Sequence, residues 1–501
     1  MTKTTRKITI LFLLLSALVS ACGPAADSGE TPTPTASQTP TEAATPSPTA
    51  TPDPTPAPTP LPLNGQQTRY DINMTIDYYN RYIDITSQTT YTNKTNIPIT
   101  EMVFVVYPTY FSAIYGNTIY IKSVRLAESD QALEYRWEGM RMIVPLATAL
   151  QPGETITFVH DFELYMPDRE GVFGQTGRQL SLAYWYPFIP PLDEEEGWIS
   201  YNLAQQNGMI VGDALVFEAS DIEVTLQFTD RRENLQIAAG ALPEEADGII
   251  HYNLPLARTF AMVISDRYTV IERDVEGIPV KAYTFAEDAH SGEAAADLAA
   301  NALRLYSELF GPYQRDVLSV VEADIGIGME FDGMFVMLSS FYWYYNDTPR
   351  TDLTMIVPHE TSHQWFFSQV GNNQAMEPWL DESIATYSEA LYYERYHPEE
   401  LEWWWDTRVY DHQPYGFIDN DIYLEGGVPE YFDTVYRVGA MFHQDLREIL
   451  GDDVYFTFLQ DYVSTYKYEI VTTQEFWQML RTYTDQDLTA LYDEYFLTPI
   501  E

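Results

Sequence analysis

The chain has 501 residues, 45% of them hydrophobic and 14% aromatic, enough for two or three domains with a sizeable core. Its formal net charge is −47, from 27 Lys and Arg against 74 Asp and Glu, and such a surface argues against nucleic acid as a partner. The only cysteine is Cys22, so no internal disulfide is possible and the fold must be held by its core.

The first 21 residues read as a processing signal. Lys3, Arg6 and Lys7 give a charged start, and Ile8 to Ala21 is an apolar run too short for a convincing membrane span. The run ends in Val19-Ser20-Ala21-Cys22, which resembles a bacterial lipobox; that resemblance implies lipidation at Cys22 and a membrane anchor. Residues 22–66 are rich in Thr, Pro, Ala and Ser. With no aromatic between Gly23 and Arg69, this stretch cannot bury enough surface to fold and is expected to be an extended stalk. Residues 22–501 carry 24 Lys and Arg against 74 Asp and Glu, a net −50. Such a field steers cationic peptides or serves as a heavily solvated surface.

Residues 67–272 are expected to form a β-rich N-terminal domain. Alternating runs recur at Tyr70 to Tyr79, Met102 to Tyr107, Met140 to Pro145, Thr155 to Phe162 and Ile222 to Phe228, with turn residues between them. From 273 to 501 the pattern becomes mainly helical. Val280 to Phe285 and Val317 to Glu322 read as strands, and Ala294 to Phe310 has helical apolar spacing that stops at Gly311-Pro312. A helix is expected from about Leu380 to Arg395. The fold class is therefore α+β.

His359-Glu360-Thr361-Ser362-His363 carries the chemistry. Two imidazoles four residues apart on a helix point the same way. With Glu382 from the next helix they make three protein ligands and leave a fourth position open, the layout of a catalytic rather than a structural zinc site. Glu360, between the histidines, is placed to act as general base. Pro358 suggests the first turn of this helix or a local kink. Glu389 lies two helical turns beyond Glu382 and is either a support for a zinc ligand or a surface carboxylate.

The motif, the 18 residues before Glu382, and the Trp379-Leu380-Asp381-Glu382 and His363-Gln364-Trp365 contexts together resemble the zinc gluzincin aminopeptidases related to membrane alanyl aminopeptidase, in a divergent bacterial branch. The resemblance implies a thermolysin-like catalytic domain, one Zn2+ per chain and peptide substrates with a free N-terminus. Gly328-Met329-Glu330 resembles the family's GxMEN element, which implies that Glu330 binds the substrate's α-amine. Here Phe331 replaces the family's Asn. Tyr436, in Tyr436-Arg437-Val438-Gly439, resembles the tyrosine that stabilises the oxyanion, with Val438 replacing the usual Lys. The N-terminal domain departs from better-known members at Tyr184-Trp185-Tyr186-Pro187 and Asp193 to Trp198. Its acidic loop, Glu194 to Glu196, either helps to bind the amine or is solvated.

Trp403 to Trp405 and Tyr342 to Tyr345 either line a side-chain pocket or belong to the core. His160, His251, His290, His397, His412 and His443 show no ligand spacing. The expected protein is a lipid-anchored zinc aminopeptidase of the bacterial envelope, facing outside the cytoplasm. The alternatives are a zinc endopeptidase and an inactive peptide-binding lipoprotein.

Overall fold

Strict alternation of apolar and polar residues builds the N-terminal half. In Arg69–Asp77, Tyr70, Ile72, Met74 and Ile76 turn inward while the residues between them face outward. The computed structural model describes residues 67–498, apart from 207–208 and 232–233. Cys22, the signal segment and the stalk therefore lie outside the described residues.

Arg69–Asp77 is the centre of a seven-stranded sheet. Its neighbours are Tyr82–Thr92, antiparallel, and Ser220–Phe228, parallel. Thr155–Tyr165 and Ile119–Leu126 extend one side, and Ile249–Ala257 and Glu244–Ala246 extend the other. A three-stranded sheet of Ile99–Val105, Arg141–Leu150 and Arg136–Glu138 lies alongside, as does a four-stranded sheet that includes Leu180–Leu182 and Met262–Ser265. The expected strands are all present, with ends shifted by a few residues: the first stops at Asp77 rather than Tyr79, and the second runs Ile99–Val105 rather than Met102 to Tyr107. Several further strands of two to four residues were too short to show a period.

A second, five-stranded sheet begins with the hairpin Tyr268–Val275 and Ile278–Phe285. Ile278–Phe285, Leu318–Ala323 and Met334–Leu338 run parallel, and Met329–Phe331 closes the edge antiparallel to Met334–Leu338. Leu318–Ala323 is buried throughout, as expected of a parallel strand covered on both faces. The Ala-rich helix Ala289–Phe310 crosses between Ile278–Phe285 and Leu318–Ala323, and its small side chains let it lie close to its neighbours.

Two further helices carry the site. Asp352–Ser362 starts at Thr351, whose side chain accepts from the Thr354 N–H. Pro358 thus lies well inside the helix rather than in its first turn. The helix ends at His363, which keeps right-handed helical angles, and the chain then turns through Phe367 at φ 136°. Trp379–Tyr396 is buried continuously from Trp379 to Tyr393, the mark of a central helix enclosed on all sides.

Candidate metal centre and peptide cleft

His359 and His363 bring their Nε2 atoms to 3.3 Å of each other. Glu382, in the first turn of Trp379–Tyr396, places Oε2 3.2 Å from His359 Nε2 and 3.5 Å from His363 Nε2. Ligand atoms from all three lie within 4.8 Å of one another, a set that suits one small cation. Glu382 Oε2 is buried and has no hydrogen-bond partner of good geometry, which fits a site whose remaining bond goes to a metal.

The imidazoles are oriented from behind. His359 Nδ1 lies 3.1 Å from Glu389 Oε1, and His363 Nδ1 lies 3.0 Å from the Phe366 carbonyl. These acceptors favour the proton on Nδ1 and leave Nε2 free to face the cluster. Glu389 is fully buried and takes bonds from Arg408 Nη2 at 2.7 Å and from Trp404 Nε1 at 3.0 Å. Burial works to raise its pKa, but Arg408 and His359 outweigh it and hold the carboxyl below the usual range. Of the two readings of Glu389, the structure places it against His359 and not at the surface. Trp404 was read as pocket lining or core and Arg408 was not picked out, because neither is near the motif in sequence.

Glu360 points into the same space, buried, with Oε2 unpartnered. Burial raises its pKa to about 8 despite the nearby imidazoles. Gly328 lies directly over it. Met329 contacts the Tyr184 hydroxyl through sulfur at 3.6 Å. Glu330 is buried on the edge strand, where Gln374 Nε2 donates to it at 3.1 Å. The same Gln374 nitrogen donates to Asp381 Oδ2 at 3.1 Å, and Glu330, His363 and Asp381 also lie within 4.8 Å of one another.

Tyr436 stacks on His359, with ring centroids 5.8 Å apart and planes 8° apart. It sits on a wider, π-helical turn, Phe432–Val438, which directs it at the cluster. Burial and the neighbouring Glu382 carboxylate push its pKa well up, so it remains a protonated donor. The structure thus brings together His359, Glu360, His363, Glu382, Glu330, Glu389 and Tyr436.

Glu194–Glu196 lie instead on an exposed hairpin where Glu194 accepts from Asn96. Asp213, an acid of the N-terminal region that sequence reasoning missed, lies within electrostatic reach of Glu330, Glu382 and Asp381. Burial first, then the charges of Glu330, Glu382 and Asp381, raise its pKa well above normal. Earlier in the chain, the Asn202 carbonyl accepts from Tyr423 at 2.5 Å and Tyr201 accepts from Asn373 at 2.8 Å. Of the aromatic clusters, Trp404 and Tyr342 are buried while Trp343 and Tyr344 are exposed. His160 and His443 are buried and outside the cluster.

Two buried imidazoles, one buried carboxylate and a second buried glutamate beside them define a gluzincin-type metal centre. Comparison with known proteins agrees: residues 295–495 match the Peptidase family M1 domain. Endoplasmic reticulum aminopeptidase 1 of Mus musculus is 23% identical over 303 residues, 55% of this chain and 32% of its own length. Aminopeptidase 2 of Candida albicans is 24% identical over 263 residues, 48% of this chain and 28% of its own length. The chain thus spans about a third of the length of these curated relatives. An M1 zinc metallopeptidase from Deinococcus radiodurans shares the fold, with a TM-score of 0.58 and 17% identity over 87% of this chain and 96% of that one. A mutant of that enzyme, bound to a Tyr-Ser-Ala substrate, gives a TM-score of 0.58 at 18% identity over the same shares.

Proposed function

We propose that the protein is a zinc aminopeptidase that hydrolyses N-terminal residues from peptides. The observation that carries this is the cluster of His359, His363 and Glu382 with Glu360 and Glu330 turned toward it. The donor set fits zinc: two neutral imidazole nitrogens, one carboxylate oxygen, and a fourth direction not closed by protein. Held there, zinc supplies Lewis acidity toward water and toward the scissile carbonyl.

The chain's own residues do the rest. Glu360 accepts the proton of the attacking water and delivers it to the leaving amine. Tyr436 donates to the oxyanion. Glu330 and Asp213 present carboxylates to a cationic N-terminus and disfavour an acylated one. Glu389 keeps His359 in the tautomer that binds metal.

The lipobox-like segment at Cys22 and the Thr/Pro-rich stretch after it support a further reading: residues 1–21 are a signal, Cys22 is lipidated, residues 22–66 form a stalk, and the folded part works at the bacterial envelope. Among the described residues, no helix is long and apolar enough to cross a membrane. In this organisation residues 67–272 are the N-terminal domain and 273–501 the catalytic one.

Chelation tests the proposal. Dialysis against a chelator should abolish hydrolysis of a free N-terminal peptide, and one equivalent of Zn2+ per chain should restore it. Unchanged turnover in protein shown to be metal-free would refute it.

A further inference from the structure

The turn after Glu330, Phe331-Asp332-Gly333, is gripped by side chains from separate parts of the chain. Gln364, the residue after His363, accepts the Gly333 N–H at 2.8 Å and donates to the Phe331 carbonyl at 3.0 Å. Ser368 and Arg315 each donate to Asp332 Oδ1 at 2.6 Å. Asp332 Oδ2 accepts the N–H groups of Arg258 at 2.8 Å and Thr259 at 3.1 Å. On another side Gly240 touches the turn: a Cβ there would fall 1.7 Å from the Asp332 carbonyl. Asp332 and Gln364 are each 1% exposed, so these bonds have no competition from water.

The strand that carries Glu330 is only Met329–Phe331, paired on one side. Three residues at a sheet edge are weakly held by their ladder alone. The Glu330 position therefore depends on the turn that follows it. Phe331 replaces the asparagine that the family resemblance leads one to expect, and its ring packs inside against Tyr184 at 5.8 Å. A side chain so buried and apolar cannot hold the turn through polar bonds. Asp332 makes those bonds here, and Gln364 ties the turn to the residue that neighbours a metal ligand.

We propose that Gln364 is a positioning residue: by gripping the Phe331–Gly333 turn it fixes Glu330 relative to His363, and so sets how strongly the site selects a free peptide amine. Asp332 is the buried hub that holds the turn in reach of Gln364. The inference rests on Glu330 being the amine anchor of the proposed aminopeptidase.

The test uses zinc-loaded full-length protein carrying Glu360→Gln, so that peptide is bound and not consumed. Calorimetry gives Kd for a tri-alanine amide, free and N-acetylated, with and without Gln364→Met, Glu330→Gln and both. Gln364→Met should weaken the free peptide by about tenfold or more, leave the acetylated one unchanged, and leave zinc content unchanged. In the Glu330→Gln background it should have no further effect, because the two act as one unit. Equal weakening of both peptides, additive losses, or loss of zinc would overturn the proposal. If Gln364→Met does not fold, Gln364→Asn keeps a neutral amide but is one methylene too short to bridge Gly333 and Phe331. A smaller loss confined to the free peptide is then expected, and no loss overturns the proposal. Turnover by the unsubstituted protein is read in parallel. Its absence counts against the peptidase reading, whereas unchanged discrimination between free and acetylated peptide in the Gln364 variant counts against this one.

Discussion

Gly328 lies so close to Glu360 that a Cβ added to it would stand 2.2 Å from Glu360 Oε1. The backbone leading to the edge strand therefore passes directly over the proposed general base. Only a glycine leaves that carboxyl its place. Gly328→Ala should push Glu360 aside without touching a metal ligand. Turnover is expected to fall by about 100-fold, with zinc content unchanged by elemental analysis. An alanine variant with full activity would show that Glu360 does not need its observed position.

Glu389 binds His359 from behind and is itself held by Arg408 and Trp404. Glu389→Gln should weaken zinc binding by about 10–100-fold, read by competition with a chelating dye. It should also lower the melting temperature, since Arg408 keeps a buried charge without its counter-ion. Unchanged zinc affinity would make Glu389 a purely structural partner of Arg408.

Asp213 adds a carboxylate from the N-terminal half to a cleft that already holds Glu330. Asp213→Asn should raise KM for peptides with a free N-terminus by about tenfold, on the scale of one charge-assisted contact. It should leave kcat and zinc content near their starting values. A fall in kcat alone would assign Asp213 to the chemistry instead of to binding.

Glu322 gives a pH dependence that is independent of the metal centre. It is fully buried in Leu318–Ala323, accepts from Thr284 Oγ1 at 2.7 Å and from the Phe285 N–H at 2.9 Å, and has Oε1 unpartnered. Burial raises its pKa to about 7 from 4.5. Between those values the folded protein binds the proton that the unfolded chain has lost. Stability therefore falls as pH rises from 4.5 to about 7, and the loss is complete above that. Glu322→Gln should remove this loss and stabilise the protein at pH 8 by on the order of 1–3 kcal/mol. At pH 4 it should make little difference. Denaturant titrations at the two pH values decide it, and equal effects at both would show that folding leaves the Glu322 pKa unshifted.

The metal cluster was legible because its signal is local. His359 and His363 are set by one helical turn, and Glu382 by the first turn of the next helix. Ile72 and Ile76 likewise announce their strand through simple alternation. What was not legible depends on contacts far apart in sequence. The parallel pairing of Arg69–Asp77 with Ser220–Phe228 leaves no mark in either segment alone. Asp213 sits in an irregular segment between Met209–Ile210 and Ser220–Phe228, with no periodic pattern to mark it. Trp404 and Arg408 looked like an aromatic run and an ordinary cation until the fold placed them on Glu389. Pro358 suggested the first turn of the helix or a local kink, yet the helix begins at Asp352 and carries the proline in its interior.

The central claim is that this cleft hydrolyses peptides from a free N-terminus. It is tested most directly by incubating the zinc-loaded protein with a mixed peptide set, each member supplied free and N-acetylated, and following the products by mass. Stepwise loss of residues from the free peptides, with the acetylated ones intact, is the predicted result. Internal cleavage of the acetylated peptides would contradict it, and with it the role of Glu330 as the amine anchor.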